Sequence, residues 1–414
     1  MTLLLLALLA TLTAQPATDG DWPRFRGPNG SGVAAAVPLG FGPENVLWRA
    51  DLPGRGHSSP VVAGGRVFLQ SSAPGAQKRH LIALDAATGA VAWKVDLAGG
   101  LATIHAKSSF ASSTAAVEGD RVFFLVWSGK DVVLHARDTA TGKELWQAAL
   151  GGYKSQHGFG ISPLAADGRV FVNFDQDDAA VMLAFDAATG KEVWAAKRKP
   201  FRANCAMCLL HKGTVVATST AGLTAYDPAT GTVAWNWVWP FDGMALRTVG
   251  SPVLDGDTVI AVAGDGGGSR STVAVAAGPS PKLLWQKLKD VPYVPGPVAA
   301  GAHLYSVTDA GLATCADLRT GDIVWQERAF SRAVSASPLL AGGAVIAVAE
   351  DGKIVAFKAS PAGFDKLAEG NLGEAVFASP AAAGCTCGGR RAWCASGRSD
   401  LGRRLARWQH RLAG

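Results

Sequence analysis

Nine side chains able to hold an anion recur along the sequence: Arg55, His57, His105, Lys107, Lys154, His157, Arg202, Arg247 and Arg332. Guanidinium, ammonium and imidazole groups donate hydrogen bonds to carboxylate and phosphate oxygens. A ring of them around a narrow opening would focus positive potential on a polycarboxylate, an acidic sugar or a partner's acidic loop. The bland alternative is nine solvated loop residues bonded to turn carbonyls. Which reading holds depends on whether the segments that carry them converge.

Other candidate chemistry is weaker. Cys205-Ala-Met-Cys208 has the spacing of a metal knuckle or a redox pair, but no second pair stands in a matching place and no His follows for covalent haem. Two residues three apart on a strand face opposite sides, so ordinary buried thiols are expected. Asp175-Gln-Asp177-Asp178 offers oxygens to Ca²⁺, yet nothing supplies the rest of a coordination loop, and a hairpin tip is expected. Gly264-Asp-Gly-Gly-Gly268 leads into no helix, so it reads as a hairpin and not a phosphate cradle. No metal site is assigned.

The positioning elements come from a repeat. Ala83-Leu-Asp85-Ala-Ala-Thr88-Gly89-Ala-Val-Ala-Trp93 returns at 136–146, 184–194, 225–235 and, with Cys315 in place of the first Ala, at 315–325. Apolar runs on either side of Asp-x-x-Thr-Gly read as two strands joined by a tight turn. Asp accepts hydrogen bonds from turn amides, Gly takes the positive φ that closes the turn, and the Trp offers a flat face to a neighbouring unit. Each copy is preceded by a Ser-Pro or similar step, a strand, a Gly turn and another strand, as in Ser59-Pro60 through Leu69. Such starts occur eight times, the looser ones near Ser112 and Cys208.

Four short antiparallel strands per roughly 40 to 50 residues is the period of a propeller blade. The fold class expected is therefore all-β, an eight-bladed β-propeller over residues 18–383 with docking tryptophans at Trp48, Trp93, Trp146, Trp194, Trp235, Trp285 and Trp325. The copy ending at Trp285 has lost its Asp and Gly. Trp48 has no strands before it, so Val46-Leu47-Trp48-Arg49-Ala50 is expected to close the ring as the outer strand of the last blade, removing exposed edges. The nine cationic or imidazole residues then fall in the segments linking one blade's outer strand to the next blade's inner strand, which converge on the axis at one face.

The pattern Ala-x-Asp-x-x-Thr-Gly-x-x-x-Trp resembles the tryptophan-docking motif of pyrroloquinoline quinone (PQQ) dehydrogenases, shared with cofactor-free relatives such as the BamB-type outer-membrane assembly factor. Asp21-Trp22-Pro23-Arg24-Phe25-Arg26-Gly27-Pro28-Asn29-Gly30 resembles the start of exported PQQ-like propellers. The resemblance spans about residues 21–384 and implies the fold, not an activity. The dehydrogenases it points to hold a quinone between a Trp floor and a disulfide of adjacent cysteines, with Ca²⁺ on Glu, Asn and Asp and an Asp as base. No two cysteines are adjacent in this sequence, and no catalytic residue transfers.

Charge and termini bound the partners. The net charge of +6 arises entirely from residue 384 onward, where seven arginines face Asp400, so residues 1–383 are formally neutral. A neutral body lacks the basic stripe that nucleic acid requires. Residues 1–17 read as a signal peptide, with an apolar run too short to span a membrane and no Cys after it for lipid attachment. Export to the periplasm or beyond, as a monomer and not a lipoprotein, is expected. Residues 384–414 are atypical: Leu401, Leu405, Trp408 and Leu412 fit one stripe of a basic amphipathic helix that would contact an anionic membrane. The reading preferred over it is a frame-shifted last blade, because closure otherwise lacks its middle strands.

The function expected is non-catalytic binding of a partner protein, an anionic small molecule or a saccharide at the axial mouth, without a cofactor. The alternatives are a dehydrogenase using PQQ with Ca²⁺ and a BamB-like assembly scaffold.

Overall fold

The computed structural model describes residues 20–199, 201–241, 245–385, 390–398 and 404–409; the expected signal peptide lies outside them. The described chain forms eight antiparallel sheets, seven of four strands and one of four joined by a fifth, parallel strand, Val33–Ala34. No α-helix occurs among the described residues, only 3₁₀ turns such as Pro28–Gly30. The innermost strands Val61–Ala63, Ala116–Glu118, Leu164–Ala166, Leu209–His211, Val253–Asp255, Val298–Ala300, Leu339–Ala341 and Ala381–Cys385 follow one another around an axis, the last beside the first. We number the blades 1 to 8 in that order.

The repeated turn behaves as its residues require. Asp85 Oδ1 accepts from the amides of Ala87 and Thr88 and from Thr88 Oγ1, and the same set recurs at Asp186 and Asp227. Gly89 closes the turn at φ 74°, where a Cβ would be strained. Its second constraint was not foreseen: a Cβ there would lie 2.4 Å from the Trp48 ring. The same clash awaits at Gly142 beneath Trp93 and at Gly190 beneath Trp146. The glycine is both a turn closer and the seat of the preceding blade's tryptophan.

Docking is completed by the indole N–H. Trp48 donates to Ala86 O at 3.0 Å, Trp93 to Thr139 O, Trp146 to Ala187 O, Trp194 to Pro228 O, Trp285 to Leu318 O and Trp325 to Ser360 O, each reaching the next blade. Trp235 is buried but faces the blade 5 turn that lost its Asp and Gly.

The ring closes as expected, with Val46–Leu52 as the outer strand of blade 8. It pairs with Arg404–Gln409, which pairs with Arg390–Arg398, which pairs with Ala381–Cys385. The helical reading of the tail is therefore corrected over residues 404–409, which are strand. Two neighbouring edges offer every backbone N–H and C=O a partner there, and that outweighs a 3.6-residue apolar period. Leu401 and Leu412 lie outside the described residues.

Candidate functional site

The Ser-Pro step that starts each inner strand builds the channel wall. Backbone N–H groups donate to the hydroxyl at the corresponding place on the next blade: Ser337 to Ser379, Ser379 to Ser59, Ser59 to Thr114, Thr114 to Ser162, Met207 to Ser251 and Gly296 to Ser337, at 2.9–3.0 Å. Met207 and Gly296 interrupt the chain of hydroxyls. Gly296 leaves room for Arg26 of the N-terminal segment, and Met207 packs against its Gly30.

That segment plugs one end of the channel. Trp22 exchanges backbone bonds with Val62 of blade 1 at 2.7 and 2.9 Å, and Pro23 O accepts from Val117 of blade 2 at 2.7 Å. The Asn29 amide pairs with both backbone groups of Leu210 in blade 4, and Gly32 O accepts from Leu340 of blade 7. Gly30 approaches Met207, and Arg26 runs against Gly296, where a Cβ would collide with its guanidinium. Arg26 Nη2 donates to Pro297 O of blade 6, while its Nε and Nη1 have no partner among the described residues. Burial alone lowers the Arg26 pKa to about 9.

At the opposite end, which we call the mouth, the structure brings six of the nine sequence-predicted residues near one another. Arg55, His57 and His105 line one cleft of about 680 Å³ with Ser72, Ser108, Ser109, Ile104 and Phe110. The His57 ring stacks on Phe377 of the last linking segment at 4.5 Å. The His105 ring stacks on His157 at 4.8 Å, and His105 Nδ1 accepts from the Lys107 amide. Arg247 is 4% exposed; its Nη2 donates to Gln156 Oε1 at 2.9 Å and lies 3.8 Å from Asp177. Arg202 Nη1 donates to Ala245 O at 3.4 Å.

Other members are placed differently. The segment between Ala98 and Ala116 carries Lys107 over the mouth to Glu350 of blade 7, Nζ to Oε1 2.7 Å, where Ser335 Oγ also donates. Lys154 pairs with Asp178 at 2.8 Å in the open, and Arg332 is exposed. The mouth thus carries both signs of charge: a cluster of Arg55, His57, His105, His157, Arg202 and Arg247, with Lys107 and Lys154 already paired.

The partners of the acids, and the part played by Gln156, were missed from the sequence. The acidic run forms the expected hairpin tip between Arg169–Asp175 and Ala180–Asp186, and there Asp177 also accepts from the amides of Gln156 and Ala203, clasping two linking segments. Asp175 is buried and paired with Arg198. The signal was available in strand alternation, because hairpins between second and third strands end on the same face as the linking segments.

The field at the mouth acts on His157. Its pKa is lowered to about 4, first by burial, then by Arg247, His105 and Arg202, with Asp177 opposing. His157 is therefore neutral at pH 7. Between its ordinary value of 6.5 and about 4 the unfolded chain binds a proton that the folded chain refuses. Stability is then full above pH 6.5 and falls as pH drops toward 4. The melting temperature is expected to decline over that window, with a shallower slope in His157→Gln; identical slopes would show that the residue does not feel this field.

Cys205 and Cys208 are free thiols, the first half-buried and the second buried. Burial pushes them up to about 11 and about 12, so neither is a ready nucleophile or metal ligand at neutral pH.

The sequence model described as outer membrane protein assembly factor BamB matches residues 43–137, 129–274 and 269–362. Among solved structures, a europium-containing methanol dehydrogenase aligns over 95% of this chain and 98% of its own, with a TM-score of 0.73 and 14% identity. BamB from Moraxella catarrhalis aligns over 88% of this chain and 99% of its own (0.64, 14%). Quinohemoprotein alcohol dehydrogenase from Comamonas testosteroni covers 96% of this chain with 82% of its own (0.70, 15%). No curated protein sequence matches. At these identities the structural likeness establishes the fold alone.

Proposed function

The chain belongs to the family described as outer membrane protein assembly factor BamB, and on that premise we propose that it is an exported, non-catalytic propeller that binds an anionic ligand, free or on a partner protein's acidic loop, at its axial mouth. The observation that carries the reading is the clustering of Arg55, His57 and His105 around one cleft, with Arg202, Arg247 and neutral His157 beside it. Guanidinium groups clustered in a partly enclosed opening favour carboxylates both in encounter and in the bound state. The plug at the other end makes the mouth the way in.

The rival is a dehydrogenase using PQQ and Ca²⁺. The residues present do not fit that group: the sequence has no adjacent cysteines, and among the described residues no three His, Cys, Asp or Glu are grouped to hold a metal. Asp177 at the mouth is occupied by backbone amides. A BamB-like assembly role remains a form of the partner-binding reading. Export is proposed from the apolar start of the sequence; among the described residues no helix is long and apolar enough to cross a membrane.

The test is calorimetric titration with citrate and with a glutamate-rich peptide at low and at 0.3 M salt, about twice physiological ionic strength. Saturable binding that weakens in salt is expected. Absence of binding to both, together with a quinone spectrum and dye reduction after PQQ and Ca²⁺ are added, would reverse the assignment.

A further inference from the structure

The junction between blades 5 and 6 departs from the others. On each third strand, the residue two before the one facing the docking position packs between blades; it is Leu81, Leu134, Met182, Leu223, Ala313 and Ile354 in blades 1, 2, 3, 4, 6 and 7, but the polar Thr272 in blade 5. On the second strand, Ser306 of blade 6 takes the place held by Leu69, Phe124, Val172, Ala217, Ala261 and Ala347 in blades 1, 2, 3, 4, 5 and 7. Trp93 is flanked by Phe68 and Phe124 at 6.0 and 6.4 Å, whereas the core around Trp285 consists of Val253, Ile260, Ala274 and Leu304. Hydroxyl-bearing residues replace apolar ones on both sides of the same junction.

The space they leave is a cavity of about 290 Å³ walled by Trp285, Leu304, Ile323, Val291 and Pro292, with hydroxyls of Thr272, Ser306 and Thr314. Ser306 and Thr314 satisfy each other at 2.6 Å. Thr272 is 2% exposed and its Oγ1 has no partner among the described residues. A buried hydroxyl left without a partner is costly, and the void is larger than one bridging water fills. The rim carries no net charge: Lys287 is paired with Asp322 at 2.7 Å, and Lys289 adjoins Asp290.

We propose that this junction is a second binding pocket, independent of the axial mouth, for a small neutral molecule with an apolar body and one oxygen that accepts from Thr272, such as a phenol, a cyclic alcohol or a ketone. The apolar walls take the body, the deep hydroxyls take the oxygen, and the balanced rim gives no advantage to an ion. Its size lies at the lower limit for small-ligand sites, which restricts the body to about one ring.

Ligand-observed NMR titrations with phenol, cyclohexanol and benzene test it on the full chain. The wild type should bind phenol saturably, one per chain. Thr272→Leu, which installs the residue of blades 1, 2 and 4, should fill the pocket and abolish binding of all three probes. Thr272→Val keeps the shape and removes the hydroxyl; it should weaken phenol about tenfold and leave benzene unchanged. This contrast decides the matter even if Thr272→Leu folds poorly. No saturable binding to the wild type, binding unaltered in Thr272→Leu, or equal losses of phenol and benzene in Thr272→Val would overturn the proposal.

Discussion

Replacing Trp93 by alanine should destabilise the chain by about 3–5 kcal/mol, the range for removing a large buried aromatic. The loss has three parts. Phe68 and Phe124 lose the ring between them, Thr139 O loses the indole N–H, and Gly142 loses the surface that lies over it. Gly142→Ala attacks the same joint from the other side. Its Cβ would lie 2.6 Å from the Trp93 ring on a residue at φ 72°, so the ring or the turn must move. Both variants should lower the urea midpoint by circular dichroism. Trp285→Ala should cost less, because its surroundings are already underfilled. Equal effects at Trp93 and Trp285 would contradict this account of docking.

The second large effect is expected at the plug. Trp22 is 2% exposed, and a Cβ on Gly27 would come within 2.5 Å of its ring, so indole and turn fit closely. Trp22→Ala should cost about 3–5 kcal/mol and loosen the whole segment through residue 34. Arg26→Met provides the contrast. Its guanidinium is buried without a carboxylate, so an apolar chain of similar length should be neutral or stabilising. Should Arg26→Met instead cost more than Trp22→Ala, the bond to Pro297 O would be the main fastening of the plug.

Much of this architecture was legible in the residues. Asp, Thr, Gly and Trp in fixed register specify a turn and a docking surface through hydrogen-bonding and steric rules that act within eleven residues. Trp48, standing without strands before it, disclosed the closure. The Ser-Pro steps were visible as punctuation, but their circular hydrogen bonding was not, because each partner lies a whole blade away. The plug was hidden for the same reason: Asp21 through Gly30 has no apolar period, and its partners are backbone groups of inner strands spread over most of the ring.

The mouth was half legible. Linking segments converge by topology, so Arg55, His57, His105, His157, Arg202 and Arg247 could be grouped from spacing alone. Pairing could not be read. Lys107 meets Glu350 across a separation of 243 residues, and Asp177 clasps two segments that local rules leave unrelated. The tail misled because the apolar spacing fits a 3.6-residue period, whereas backbone pairing with a strand on each edge decides the local structure.

The most direct measurement is citrate affinity of the triple variant Arg55→Gln, Arg202→Gln, Arg332→Gln beside the wild type, at low salt. Arg247 is left intact because it is buried and bonded to Gln156. Loss of Arg55 and Arg202 from the mouth, with the exposed Arg332 outside the cluster, should weaken binding by at least about a hundredfold, on the scale of one or more charge-assisted bonds, with the melting temperature little changed. Citrate bound equally well by the triple variant would contradict an anion site at the axial mouth.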